Sequence, residues 1–320
     1  MMDGATFIAM LSGVSGFVMI ALARATPLIL AAIGGLYSER SGIVNIALEG
    51  KMLFGALCSV AITYWTGNPW LGCLAGIAGG MLLALLHLVN CQIFKAEHVV
   101  SGAAINILSL GLTGFFVFLI FESKSSAQVA TLPTFDFSNL SIPIIGTVLD
   151  LAFSGMAPLF ILGTVVAIVT SWMFRHTPFG LQVRAIGEDP EVAEARGIDI
   201  FRTRLICLII SGSLAGLAGA QLAVGNIGFF TEKMSAGRGF IALAAVIFGR
   251  WKPLPVFAAC LFFGFADAAA LRMKLEWQFV PDELAQNIPF ILTIVVLFLS
   301  KAASGMPFSL GKKIGGENTV

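Results

Sequence analysis

The sequence predicts an all-α protein that crosses a lipid bilayer many times. Of its 320 residues, 58% are hydrophobic and 12% are charged, whereas about a quarter of residues carry charge in a soluble domain. Several apolar stretches reach the roughly 20 residues that a helix needs to cross ~30 Å of hydrocarbon. These stretches are continuous rather than alternating in polarity, which favours a helix bundle over a β-barrel.

The apolar stretches predict about nine spans, within a range of about eight to ten, in one transmembrane domain over residues 1–320. The predicted spans are 7–33, 43–63, 69–90, 98–121, 155–174, 205–226, 238–250, 253–272 and 287–300. The stretches 238–250 and 287–300 are too short for simple crossings, so we expect re-entrant, broken or tilted segments there. The N-terminus lacks the basic region of a signal peptide, and we expect the first span to be retained.

Arginine and lysine in short loops predict the orientation. Residues 175–204, here called the polar island, contain five Arg, whereas the loop 122–154 contains only Lys124. Because such residues accumulate on the cytoplasmic side of the inner membrane, we expect the island to be cytoplasmic and the loop extracytoplasmic. The N-terminus is then outside and the C-terminus is cytoplasmic. In this orientation Arg272 and Lys274 lie on the extracytoplasmic side, contrary to the enrichment of Lys and Arg in cytoplasmic loops. We expect the loop to pack as a lid or a short re-entrant piece.

The polar island also contains signals for a short helix. It holds ten of the 37 Asp, Glu, Lys and Arg residues. Asp189 suits an N-cap, Pro190 the first helical position and Gly197 the residue after the C-cap, so we expect a helix of about two turns. Asp199 then opens the next span. A helix this short is marginal in water, so the island is either a solvated connector at the lipid surface or a docking segment for another protein.

Three motifs together indicate a family. PFGLQVRAIGEDPEVAEARGI in the island resembles the cytoplasmic coupling loop of permease subunits in ABC importers, particularly the nucleoside and sugar branch. GLYSERSGIVNIALEG, residues 35–50, is similar to the start of the second span in nucleoside permeases encoded beside basic-membrane-protein-type binding proteins. The third motif is GRGFIALAAVIFGRWKP, residues 237–253. The resemblance covers both halves of the chain.

The resemblance implies a permease that translocates nucleosides, with pentose-type sugars as the second substrate class. It also implies two ABC ATPase subunits, a second permease subunit that is often a different chain, and an extracytoplasmic substrate-binding protein. The chain has no GxxxxGK[ST] phosphate loop, so we expect it to bind no cofactor, to be no enzyme and to rely on a partner for ATP hydrolysis. The implied ATPase-coupling residues are Gly180, Arg184, Ala185, Gly187, Asp189, Pro190, Ala193 and Gly197.

Polar residues inside the spans are candidates for the substrate path. Asn45 and Glu49 are four residues apart and share one helix face. A glutamate in hydrocarbon is costly unless it is paired or hydrated, so we expect Glu49 to face the bundle interior or a watery cavity. Lys51 is expected to point away. The path candidates are Asn45, Glu49, Asn106, Gln221, Asn226, Arg238 and Asp267. The alternative is structural: Arg24, Arg238 and Asp267 pair with Glu49 or with one another.

Other features favour packing over chemistry. The five Cys lie in apolar stretches without a CxxC spacing, and His87 is expected to be a packing residue, so no metal site is predicted. No HExxH or Ser–His motif supports an enzyme. Gly76 and Gly80, like the glycines at 212, 216 and 219, place small residues on one helix face. An ion-coupled transporter stays an alternative, although Glu49 and Asp267 are the main acidic candidates within the spans for binding a coupling ion. Net charge of +1 gives no basis for a nucleic-acid partner.

Overall fold

The chain forms a bundle of α-helices, as predicted. A computed structural model describes residues 4–135, 157–276, 291, 294, 295, 298 and 305–312. Within these ranges the helices are α1 (Gly4–Arg40), α2 (Leu48–Thr66), α3 (Pro69–Leu88), α4 (His98–Phe121), α5 (Pro158–His176), α6 (Pro178–Glu188), α7 (Pro190–Ala195), α8 (Ile200–Ala220), α9 (Arg238–Phe248) and α10 (Pro253–Glu276). A π-helical segment extends α3 over Val89–Ile93, and another extends α8 over Gln221–Ile227.

Six helices in the described part of the chain are long and apolar enough to cross a membrane, not about nine. They are α1, α3 with its extension, α4, α5, α8 with its extension, and α10. α2 has 19 residues but carries Glu49 and Lys51 in its first turns, and α9 has only 11 residues. The predicted span 287–300 lies almost wholly outside the described residues.

α8 is the central helix, because it packs against α1, α2 and α3. Glycines allow the closest of these approaches. A Cβ on Gly212 would lie 2.5 Å from the carbonyl oxygen of Gly80 and from the Cβ of Ala84, so no larger residue fits without movement. A Cβ on Gly216 would likewise collide with the carbonyl of Gly76, and a Cβ on Gly55 would collide with the backbone of Gly216. The glycine faces predicted from the sequence are therefore contact surfaces between helices.

α2 begins inside the bundle rather than at its end. Arg204 donates from Nε to the carbonyl of Ser41 at 2.9 Å, and Asn45 donates from Nδ2 to Ser211 Oγ at 2.8 Å. At about 1.5 Å per residue, Arg204 lies about 6 Å along α8 and Ser211 about 16 Å along it. The non-helical residues 41–47 therefore run inward, and α2 starts near the middle of the bundle.

α9 is a short apolar helix within the predicted stretch 238–250, where a re-entrant, broken or tilted segment was expected. Its C-terminal end is fixed to the end of α1, where Trp251 Nε1 donates to Glu39 Oε2 and Arg40 Nε donates to the carbonyl of Trp251. With 11 residues, α9 extends only about 16 Å inward from there. Residues 228–237 supply the non-helical remainder.

The described part of the loop 122–154 covers that non-helical segment. Ser126 donates its backbone N–H to the carbonyl of Phe230 at 2.8 Å, and Val129 donates to Gly228 at 2.7 Å. Phe230 in turn donates its N–H to Ser126 Oγ. Backbone at membrane depth must be satisfied by protein, and residues 124–132 provide part of that satisfaction. The rest of the expected lid, residues 136–154, lies outside the described residues.

The contact between α3 and α8 should tolerate no side chain. We predict that Gly212→Val lowers the midpoint of thermal unfolding of the detergent-solubilised protein, with a cost of about 1–3 kcal/mol that is typical of overpacking. Gly111→Val is the matched control, because a Cβ on Gly111 has no atom within 4 Å. Equal midpoints for the two variants would contradict the close approach.

Candidate functional site

Two helix N-termini meet near the middle of the bundle. α2 starts there at Leu48, and α9 starts there at Arg238. The first N–H groups of a helix have no partner within the helix, and no water is available in the hydrocarbon to bind them. Side chains from neighbouring helices must therefore bind these groups. We give the name mid-depth junction to these residues: Asn45, Glu49, Asn106, Gly237–Gly239, and the ion-paired Arg24, Arg238 and Asp267.

Glu49 caps the start of α9. The N–H of Gly237 donates to Glu49 Oε1 at 2.7 Å, and the N–H of Gly239 donates to Glu49 Oε2 at 2.6 Å. A carboxylate at a helix N-terminus also interacts favourably with the helix dipole. Among the described residues, the hydrogen-bond partners of Glu49 are therefore backbone N–H groups rather than a cationic side chain.

Asn106 performs the same task for α2. Its Oδ1 accepts from the N–H of Gly50 at 2.8 Å, and its Nδ2 donates to the carbonyl of Ile46 at 3.0 Å. Because Asn106 belongs to α4, this side chain fixes α4 to the start of α2. It lies about 12 Å along α4, at a depth similar to that of Ser211 in α8.

Lys51 completes a buried polar chain with Asn45. Its side chain is 0% exposed, and Nζ donates to Asn45 Oδ1 at 2.7 Å. Asn45 in turn donates from Nδ2 to Ser211 Oγ. Lys51 does point away from Glu49, as expected, but into the bundle interior.

Three charged side chains stand beside the start of α9. Asp267 Oδ2 lies 3.2 Å from Arg24 Nη1 and 3.7 Å from Arg238 Nη2. The side chains keep part of their surface: Arg24 is 33% exposed, Asp267 28% and Arg238 20%. With Glu49 they make a set of two cations and two anions, whose formal charges sum to zero. Arg24 lies about 24 Å from the nearer end of α1, and Asp267 lies about 14 Å from the nearer end of α10, so this set is at membrane depth.

The polar island contains the N-termini of three consecutive helices, α6, α7 and α8. Thr177 Oγ1 accepts from the N–H of Gly180 at the start of α6, Asp189 Oδ1 accepts from Glu191 and Val192 at the start of α7, and Asp199 Oδ1 accepts from Arg202 at the start of α8. Gly197 ends the short helix with φ of +81°. The predicted caps at Asp189 and Asp199 are confirmed, whereas α6 was missed as a separate helix.

A small apolar cluster holds the island together. Ile186 of α6, Ala193 of α7 and Ile200 of α8 are buried against one another, with Ala185 and Ile198 beside them. The short helix α7 thus gains the burial that it lacks in isolation. Three large apolar side chains of the island are exposed outside this cluster: Leu181 is 60% exposed, Val192 is 53% exposed and Phe201 is 48% exposed.

The comparisons with known proteins decide the family. The family described as "Branched-chain amino acid transport system / permease component" matches residues 17–297. This chain belongs to that family of permeases. The permease is 40% identical over 309 residues to the guanosine ABC transporter permease protein NupQ of Bacillus subtilis (strain 168), covering 91% of the permease and 96% of NupQ.

Two further relatives have different named substrates. The nucleoside ABC transporter permease protein NupC of Lactococcus lactis subsp. cremoris (strain MG1363) is 36% identical over 293 residues, which cover 88% of the permease and 91% of NupC. The putative glucose ABC transporter permease protein TsgC13 of Haloferax volcanii is 36% identical over 265 residues, covering 82% and 79% of the two chains. Such permeases are transporter subunits and not enzymes.

The structure brings five of the seven path candidates together. Asn45, Glu49, Asn106, Arg238 and Asp267 belong to the mid-depth junction. Gln221 and Asn226 lie apart, about 31 Å and more along α8. Gln221 Nε2 donates to Asn226 Oδ1 at 2.8 Å, and the buried Gln221 Oε1 has no partner among the described residues.

The coupling candidates divide into two groups. Gly180, Gly187 and Ala193 are buried, and a Cβ on Gly187 would collide with the carbonyl oxygen of Arg40, so these residues shape the island rather than form its surface. Asp189 and Gly197 are exposed, and Arg184, Ala185 and Pro190 are partly buried. Sequence reasoning missed Leu181 and Val192; a signal was present, since both are apolar residues within a polar segment.

Other sequence expectations concern residues near the site. His87 is buried, with Nδ1 2.9 Å from Ser101 Oγ and Nε2 3.1 Å from the carbonyl of Val44, which fits a packing residue. Among the described residues, no group of three or more His, Cys, Asp or Glu has a metal-binding arrangement.

The cap on α9 should be measurable as stability. We predict that Glu49→Ala lowers the midpoint of thermal unfolding in detergent, because hydrogen bonds to a charged group contribute about 1.5–3 kcal/mol each. Glu49→Gln should fall between Ala and wild type, since its NH2 group, a donor, replaces one of the two oxygens that accept from Gly237 and Gly239. Glu232→Ala, at an exposed position, is the control. A wild-type midpoint for Glu49→Ala would show that the cap contributes nothing.

Proposed function

We propose that this chain is the membrane-spanning subunit of an ABC importer that translocates nucleosides across the cytoplasmic membrane. The observation that carries the proposal is the mid-depth junction, where Arg24, Arg238 and Asp267 keep exposed surface at a depth where lipid would exclude them. Charged groups at such a depth face an aqueous path or another protein surface. We infer that they face the path that substrate takes between two permease subunits.

The chemistry of the junction suits an uncharged polar substrate. The charges of Arg24, Arg238, Glu49 and Asp267 balance, and Lys51 beside Asn45 is fully buried, so a substrate with net charge gains little at the exposed surface. Half-helices that start in mid-membrane in transporters can direct their N–H groups at anionic substrates, but here Glu49 already occupies the start of α9. Nucleosides are neutral and rich in hydrogen-bonding groups. The names of NupQ and NupC favour nucleosides, while that of TsgC13 favours a sugar as the second candidate.

ATP hydrolysis is assigned to partner subunits that dock on the polar island. The exposed Leu181 and Val192 supply apolar contact area, and the buried cluster beneath them gives the island a defined shape. We propose that the island lies on the cytoplasmic side, with the N-terminus outside and the C-terminus inside. The partners are ABC ATPase subunits, a second permease chain of different sequence and an extracytoplasmic binding protein. The permease itself binds no cofactor.

The proposed membrane topology still uses about nine spans. It counts α2 and the broken crossing that ends in α9 as spans, although each is shorter or more polar than a simple transmembrane helix. The ninth predicted span, 287–300, lies almost wholly outside the described residues.

Docking can be separated from folding with charged substitutions on the island. We predict that Leu181→Asp combined with Val192→Asp abolishes ATP-dependent uptake in proteoliposomes and lowers co-purification of the ATPase by at least about tenfold, because carboxylates replace exposed apolar contacts. Ala127→Asp, exposed in the opposite loop, should leave both unchanged. Normal uptake by the double variant would exclude this surface as the ATPase contact.

The class of transporter and its substrate can be tested in one reconstitution. Proteoliposomes containing the permease, its partner subunits and a binding protein should accumulate labelled guanosine only with ATP and the ATPase. Unlabelled nucleosides should compete, whereas glucose and ribose should not. Uptake by the permease alone in response to a proton or sodium gradient would instead indicate an ion-coupled transporter, and competition by sugars alone would reassign the substrate.

A further inference from the structure

The described C-terminal segment, residues 305–312, binds the polar island and the end of α1 at the same time. Ser309 Oγ lies 2.8 Å from the carbonyl of Ile186 and 2.7 Å from that of Gly187. The N–H of Ser309 also donates to the Gly187 carbonyl, at 2.9 Å. Two residues on, the N–H of Gly311 donates to the carbonyl of Gly42 at 3.0 Å.

This segment is held by packing as well as by hydrogen bonds. Pro307 and Ser309 are buried, and Leu310 packs on the main hydrophobic core. Lys312 Nζ lies 3.5 Å from the centre of the Phe308 ring, so the segment also has an internal cation–π contact. A segment with these contacts is a fixed part of the fold.

The C-terminal segment contacts the turn at Ser41 and Gly42, from which the chain leads to the mid-depth junction. Gly187 packs on the carbonyl of Arg40, and Arg204 donates to the adjacent Ser41. A Cβ on Gly42 would lie 2.8 Å from Arg204 Nη2 and 3.0 Å from Ser309 Oγ, so both side chains face the same turn. From this turn, residues 43–47 lead directly to the start of α2 and to Glu49.

We propose that residues 305–312 are a clamp that joins the C-terminal end of α6 to the turn after α1, and that Ser309 is its positioning residue. Movement of the island then displaces the turn at Ser41 and Gly42 and, through residues 43–47, the start of α2. The clamp adds to the direct contacts between the island and this turn, where Gly187 packs on Arg40 and Arg204 donates to Ser41. The inference rests on the proposed function, because it assigns the island as the ATPase contact.

Ser309→Ala tests the clamp in the assembled transporter. The variant keeps the backbone bonds but loses the hydroxyl that contacts two carbonyls. We expect uptake per ATP hydrolysed to fall about fivefold, as the loss of one typical hydrogen bond implies, while assembly with the ATPase changes less than about twofold. Ser309→Thr restores a hydroxyl and should recover at least half of the ratio. Ser213→Ala, which removes only a bond to Ile209 of the same helix, should retain the wild-type ratio.

The outcomes distinguish the clamp from the docking proposal. An unchanged ratio of uptake to ATP hydrolysis in Ser309→Ala would overturn the clamp and leave docking intact. Normal assembly and uptake with Leu181→Asp and Val192→Asp would overturn docking itself.

Hydrogen exchange of the wild-type complex does not depend on any variant folding. Protection of the Ser309 and Gly311 amides should change together with that of α6 between ATP-bound and nucleotide-free states. A change in α6 without a change at these two amides would also overturn the clamp.

Discussion

Backbone groups that lie within the membrane without a helical partner constrain this fold more than any other feature. α2 and α9 both begin near the middle of the bundle, where lipid cannot satisfy their first N–H groups. Glu49 accepts from Gly237 and Gly239, and Asn106 accepts from Gly50. Each cap comes from a different helix than the one it caps. The polar side chains therefore set the relative positions of α2, α4 and α9.

Placing a carboxylate at this depth has an electrostatic consequence. Glu49 is adjacent to Arg238, which pairs with Asp267, which pairs with Arg24. The four charges balance, which lowers the cost of holding each of them away from bulk water. The same arrangement produces a neutral polar surface at membrane depth, suited to an uncharged substrate. Structural and functional interpretations of these residues are thus not exclusive, since one set of contacts can serve both.

Much of the fold could be predicted from the sequence where the signal is local. α4 spans residues 98–121 as predicted, and Asp189, Pro190 and Gly197 bound α7 because capping chemistry depends on neighbouring residues. The glycine faces of α3 and α8 were also correct. The start of α2 was placed too early, at residue 43, because residues 41–47 are as apolar as a helix that crosses lipid. Their path inward is set by distant contacts with Arg204 and Ser211.

The same distinction explains the site. Composition identified Asn45, Glu49, Arg238 and Asp267, because polar residues are conspicuous in apolar stretches. It could not identify the partner of Glu49, since backbone N–H groups are present at every residue except proline. Direct visualisation of the assembled transporter with guanosine bound is the most informative measurement. The account predicts density for the nucleoside within hydrogen-bonding distance of the mid-depth junction, with Glu49 still on the start of α9. Nucleoside bound elsewhere, with Arg24, Arg238 and Asp267 sealed in a dry subunit contact, would contradict it.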